Sequence, residues 1–257
     1  QQEILQRDLA VAKAWRKQPP WTSTRKQAMV STPVTRSAGP FTVRSCTAFI
    51  SSRQWRLLER AAARQHVTLF TAMFQAFAMA LGALAGLEEH VIAVPVSQRR
   101  QEQEESSLGC YISVQLCSAS GLKSRGGTPE SAGLQLQARH QQLQGELQDH
   151  TRSLAVLAQQ PDCQRLPSGN PVTDVLFAFQ NYPADQMQHA VGSYGHCATP
   201  VFIQVPARFA DYPLACEVEP ATEASRIRLI YDRNSFRKEQ IITLLRDFRR
   251  GLTGLLL

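Results

Sequence analysis

Apolar positions along the chain alternate between helical spacing and strand-like alternation, and the changes of period divide it into elements. The opening "QQEILQRDLAVAKAWRKQ" predicts a helix over 2–17, which passes through Pro19-Pro20 into the Pro- and Ser-bearing linker "TSTRKQAMVSTPVTRSAGP". An alternating strand follows over 42–50. Next comes the helix "SRQWRLLERAAARQH", over 53–65, with Ser52 as its expected N-cap. "TLFTAMFQAFAMALGALAG" is apolar on every side and predicts a buried helix over 68–85 that stops at Gly86. "HVIAVPVS" is a continuous apolar run, as expected of a strand covered on both faces, with Pro95 removing one ladder donor.

The charged loop "QRRQEQEESS" leads to "LGCYISVQLCS", where alternation sets Tyr111, Ser113 and Gln115 on one face and Ile112, Val114 and Leu116 on the other. An amphipathic helix over 130–148 and a turn or short helix over 150–159 come next. "SGNPVTDVLFAFQNYP" then reads as a strand over 173–180 bracketed by Asn170-Pro171 and Gln180-Asn181-Tyr182-Pro183. "YPLACEVE" and "RIRLIYD" form a hairpin-like pair joined by "PATEAS". The closing helix over 237–255 carries Ile241, Leu244, Leu245, Phe248, Leu252 and Leu255 on one stripe. No internal repeat or low-complexity tract occurs. This order predicts an α/β fold in a single domain over 1–257, with a mixed or antiparallel sheet of about five or six strands and helices mainly on one face.

Composition changes the picture little. With 257 residues and 43% hydrophobic content the chain can bury a core of its own. Its net charge of +7 favours acidic partners, but the 28 Lys and Arg are scattered and no run resembles a nucleic-acid-binding arm, so no nucleic-acid partner is expected. The 68–86 window approaches membrane-spanning length yet is Ala-rich and contains Thr71 and Gln75, so it is expected in a protein core rather than a membrane. The six cysteines show no Cys-x-x-Cys pair, which fits reduced thiols in a cytoplasmic protein and gives no structural zinc site.

The chemical motifs are mostly negative. G-x-G-x-x-G, Walker, G-x-S-x-G and H-E-x-x-H patterns are absent, and the six histidines are far apart in sequence. His196 beside Cys197 is disfavoured as a thiolate–imidazole pair, because neighbours in a strand point to opposite faces. His140 is expected in solvent, and Asp232 in a surface ion pair with Arg228 or Arg233.

The order of segments carries more. The chain resembles the C-terminal lobe of condensation domains of non-ribosomal peptide synthetases, which share the chloramphenicol acetyltransferase-like fold. "VIAVPVSQRR" is similar to the family's V-x-G-x-P-V-x-x-R segment, "LGCYISVQL" stands at its I-G-x-F-V-N-T-L, and "SGNPVTDVLFAFQNYP" is similar to S-R-N-P-L-F-x-V-x-F-x-x-Q-N. "YPLACEVE", "IRLIYDRNSF" and a terminal amphipathic helix follow in the family's closing order.

The resemblance implies one wall of a tunnel in which an amine attacks a carrier-bound acyl thioester to form an amide. It also implies an entry helix and linker over 1–40, an α/β core over 41–257, a floor loop around 97–107 and a bridging segment over 183–205. Cleft or lobe-interface positions would be Gly109, Tyr111, Ser113, Gln115, Asn170, Pro171, Gln180 and Asn181. The family's H-H-x-x-x-D-G motif is absent from the chain. The resemblance therefore implies no catalytic residue here and no activity of this lobe alone. Substrates would arrive on the phosphopantetheine of acyl or peptidyl carrier proteins, with no cofactor bound directly. The expected partners are those carriers, an N-terminal lobe and neighbouring synthetase domains. A non-catalytic docking module and a stand-alone acyltransferase using acyl-CoA are the alternative readings.

The departures are specific. Tyr111-Ile112-Ser113-Val114 replaces F-V-N-T, so a hydroxyl stands for an amide and an isopropyl for a hydroxyl. Arg152 stands where the family's H-Q-D-x-P-F-E motif has an acid, and Gly169 replaces the Arg before Asn170-Pro171.

Overall fold

A computed structural model describes residues 42–87, 89–98, 111–120, 129–149, 152–159, 166, 169–170, 172–180 and 212–256. In chain order the elements are β1 (Val43–Ser51), α1 (Ser52–Arg64), α2 (Leu69–Ala85), β2 (Glu89–Ser97) and β3 (Ile112–Ser120). They continue with α3 (Pro129–Gln148), α4 (Leu154–Ala158), β4 (Val175–Phe179), β5 (Leu214–Glu219), β6 (Ala224–Asp232) and α5 (Lys238–Leu256). The expected helix over 2–17, most of the floor loop and the bridging segment lie outside the described residues.

The six strands form one sheet in the order β1-β6-β5-β4-β2-β3. β4 runs parallel to β2 and β5, and the remaining neighbours are antiparallel, so the sheet is mixed, as expected. Strand parity sorts the side chains. Ile92, Val94, Cys117, Val175, Phe177, Leu214, Cys216, Ile227 and Leu229 face a large core shared with α1, α2, α3 and α5. On the other face Ala93 and Leu116 pack with Leu157 of α4, and partly buried Val91, Val114, Leu154, Leu176 and Tyr212 surround them.

α2 lies deepest in the helical layer, with Met73, Phe74, Ala76, Phe77 and Leu81 fully buried. It ends where the sequence predicts, at Gly86, whose φ of +67° belongs to the left-handed region that glycine enters without penalty. No single described helix is long and apolar enough to cross a membrane. α1 and α2 together have the length and composition but are bent by 98°.

Three local expectations are corrected. The N-cap of α1 is Ser51 rather than Ser52: the last residue of β1 is still extended, and its hydroxyl accepts from Gln54 N at 3.3 Å while Gln54 Oε1 accepts from Ser51 N. Asp232 is not in a surface ion pair. It is buried, and its carboxylate accepts from Thr42 N, Asn234 N and Ser235 Oγ, which ties the end of β6 to the start of β1. Arg228 instead pairs with Glu217 and Glu219 across the β5–β6 ladder. His140 is not left to solvent, because its Nδ1 lies 2.8 Å from the Thr71 hydroxyl.

A pH dependence follows from His90 on β2. Its imidazole is buried against Gly82 with no hydrogen-bond partner among the described residues. Burial, and secondarily the charge of Arg139, lowers its pKa from 6.5 to about 4. The unfolded chain therefore takes up a proton that the folded chain refuses. Stability should fall by about 3 kcal/mol as the pH drops from about 6.5 to about 4, and this loss should level off below that. Urea unfolding across this range, compared with His90→Gln, measures it: the variant's curve should lack that component.

Candidate functional site at the carboxyl end of the sheet

Three parallel strands give the sheet a common direction. β2, β4 and β5 all present their carboxyl ends on one side, the position where open sheets with parallel strands bind ligands. Ala93 pairs with both Leu116 and Leu176. From there β4 runs to Gln180 in the direction in which β2 runs to Ser97, and antiparallel β3 brings Tyr111, Ile112 and Ser113 to the same end. Gln180 leaves β4 with its N–H bonded to Val218 O at 2.8 Å, and Gln98 N donates to Tyr111 O at 2.6 Å.

Tyr111, Ser113 and Gln180 are thus placed toward one end of the sheet, while Gln115, opposite Val94, lies beside the middle of β3. Asn170 precedes β4 at the opposite end, where its carbonyl accepts from Leu166 N. Gly109, Pro171 and Asn181 lie outside the described residues.

On β3, Ser113 and Gln115 share a side with Cys117 and Ala119, which face the helical layer. The strand's polar face therefore turns inward toward α3 and the entry to α4. Gln115 is fully buried, its Nε2 donates to Ser113 Oγ at 3.4 Å, and Ser113 Oγ lies 3.2 Å from Ser153 Oγ. The Gln115 backbone also forms an antiparallel bridge with Ser153. Gln115 Oε1 keeps an unused acceptor among the described residues.

The rest of the outer edge of β3 is closed by charge. Arg152 Nε donates to Leu116 O at 2.8 Å and Nη2 to Ser118 Oγ at 3.0 Å, Arg139 donates to Ser118 O, and Ser118 N donates to Glu146 Oε2 at 3.0 Å. Glu146 lies 3.7 Å from both guanidinium groups. Burial draws the pKa of Arg139 below its ordinary value, against the pull of Glu146, and its guanidinium also stands 5.5 Å from the centre of the Phe74 ring. Arg152, where the sequence comparison expected an acid, has a backbone-clamping role.

A cleft of about 450 Å³ opens near the end of β4, lined by Trp55, Glu59, Phe70, Gln144, Phe179 and Pro220 among others. Phe179 meets Trp55 at 6.2 Å and Phe70 edge-on at 5.9 Å, and Glu59 accepts from Trp55 Nε1 at 2.8 Å. Neither this cleft nor Ser153 was anticipated from the sequence. The only signal was a serine ahead of the apolar run "LAVLA".

The site can position groups by hydrogen bonding and apolar contact. Burial pushes the Cys117 thiol up to about 12 and raises Cys216 well above its ordinary range, so neither supplies a thiolate near neutral pH. His90 lies at the far end of β2, beside Ala119. Among the described residues no group of three His, Cys, Asp or Glu could hold a metal ion. His196 and Cys197 lie outside the described residues.

A comparison with curated proteins gave no match. Solved structures do match. The condensation domain from the Monacolin K polyketide synthase MokA superposes with a TM-score of 0.72 at 13% identity, covering 98% of this chain and 58% of that one. The epimerization domain from the third module of tyrocidine synthetase B gives 0.64 at 15% identity, covering 97% and 57%. PapA2 acyl transferase gives 0.61 at 14% identity, covering 86% and 47%. The chain therefore spans less than two thirds of the length of these relatives, and at such identities the likeness establishes the shared fold. Residues 21–256 match the family model of the condensation domain, and the chain belongs to that family.

Proposed function

We propose that this chain acts as the C-terminal lobe of a condensation domain and forms one wall of the tunnel in which a carrier-bound acyl thioester and an amine are joined. The observation that carries this reading is a mismatch of extent. The family match runs over 21–256, yet the chain spans only 57% and 58% of the two family-like domains with which it superposes over nearly its full length, and H-H-x-x-x-D-G is absent from its sequence.

In the proposed reaction the amine nitrogen attacks the thioester carbonyl, an imidazole of the other lobe takes the ammonium proton, the carbon–sulfur bond breaks, and the departing carrier thiolate receives that proton back from the imidazolium. This lobe contributes placement. Gln180, Tyr111 and the Ser113–Gln115–Ser153 network would line or brace that wall of the tunnel. The substrates would stay tethered to phosphopantetheine on acyl or peptidyl carriers, in the cytoplasm, with neighbouring synthetase domains alongside.

Reconstitution tests the proposal. The purified chain given two loaded carriers should form no amide, and a separately expressed segment bearing H-H-x-x-x-D-G should bring turnover. Amide formation by this chain alone, or none after the two parts have been shown to associate, would refute it.

A further inference from the structure

The two edges of the sheet are treated differently. β3 is closed by Arg139, Glu146 and Arg152, whereas β1, at the other edge, has no strand or side-chain clamp on its outer side among the described residues. β1 is nine residues long, contains no proline, has Arg44 as its sole charge and exposes 62% of Phe49. Such an edge lacks the usual protection against strand addition.

Beside it runs a groove of about 730 Å³ between β1, α1 and α5. Leu57 and Ile242, 46% and 48% exposed, belong to its apolar lining, and Arg246, Arg249 and Arg250 stand along the α5 side. Arg246 meets Asp247, but no described carboxylate lies within ion-pair distance of Arg249 or Arg250. The surrounding charge has the same sign: α1 carries four arginines against Glu59, and α5 carries Lys238 and three arginines against Glu239 and Asp247.

We propose that the edge of β1 and the adjoining groove bind an acidic, extended segment of a partner protein as a seventh strand, independently of the amide-forming reading. Main-chain bonds to β1 would hold the segment, alternate apolar side chains would enter the groove, and carboxylates would meet Arg249 and Arg250. Charge selects this occupant. Residues 1–41 carry seven Lys and Arg against Glu3 and Asp8, and a second copy would bring the same arginines, so both would add like charge.

The probe is a synthetic alternating Glu/Val peptide of about eight residues, matched to a typical strand, followed by fluorescence anisotropy with the full chain. Binding should weaken about tenfold or more in Arg249→Glu/Arg250→Glu and with a peptide N-methylated on alternate residues. The amides of β1 should gain protection from hydrogen exchange in the complex. Three results would overturn the proposal: no binding to the unaltered chain, equal binding of a Gln/Val peptide, or β1 amides in the free chain already as protected as those of β5. The last would show the edge occupied by residues 1–41 or a second copy.

Discussion

Replacing Glu146 by alanine is expected to destabilise the chain by about 3–5 kcal/mol, the cost of leaving buried charge without its counter-charge. Glu146 is 7% exposed and serves four groups: the guanidinium groups of Arg139 and Arg152, the Ser118 N–H and the Gln142 amide. Its loss leaves Arg139, itself 4% exposed, facing a second cation, and leaves the edge of β3 with an unsatisfied donor. Glu146→Gln keeps an acceptor for Ser118 but not the charge, and should lose roughly half as much. Urea unfolding of the three proteins measures the series. Losses below about 1 kcal/mol for the alanine variant would show that the cluster is solvated and does not hold β3.

Phe177→Ala should cost about 3–5 kcal/mol for a different reason. Phe177 is fully buried at the centre of β4 and meets Phe70, Phe74 and Phe77 of α2 at 6.0, 5.7 and 5.5 Å. Removing the ring strips three aromatic contacts at once and opens a void between sheet and helix that neither rigid element can close. The midpoint of unfolding should fall with little change in slope. Phe177→Leu keeps much of the volume and should lose about 1–2 kcal/mol. Because folded domains are stable by only about 5–15 kcal/mol, either alanine variant can leave the chain partly unfolded at physiological temperature.

Much of this architecture is legible in the sequence because it depends on periodicity. The unbroken apolar character of 69–85 requires burial on all sides, and the alternation over 225–229 requires a strand with two unlike faces. What depends on tertiary partners is not legible. Asp232 looks like a surface acid beside two arginines, and only the return of β1 alongside β6 turns it into a buried acceptor for three donors. The parity of Tyr111, Ser113 and Gln115 follows from alternation, but that Gln115 faces inward and meets Ser153 depends on where α4 docks. Likewise, no spacing rule joins Trp55, Phe70 and Phe179, which belong to three elements and converge through packing alone.

The proposed site has the same division. Gln180 and Tyr111 approach one end because β2 and β4 are parallel while β3 is not, a relation that no local pattern encodes. The family resemblance groups Asn170 with the other cleft positions, whereas β4 runs between Asn170 and Gln180 and separates the two by its length.

In the proposed function this chain positions substrates while the proton-handling imidazole belongs to another lobe. The most direct measurement of this is single-turnover amide formation in the reconstituted two-lobe domain, with the second histidine of the partner segment's H-H-x-x-x-D-G changed to alanine. Amide formation should collapse by about a hundredfold or more, the scale of a lost acid–base group, while the two lobes still associate. Undiminished turnover in that variant, with this chain's own residues carrying the proton, would contradict it.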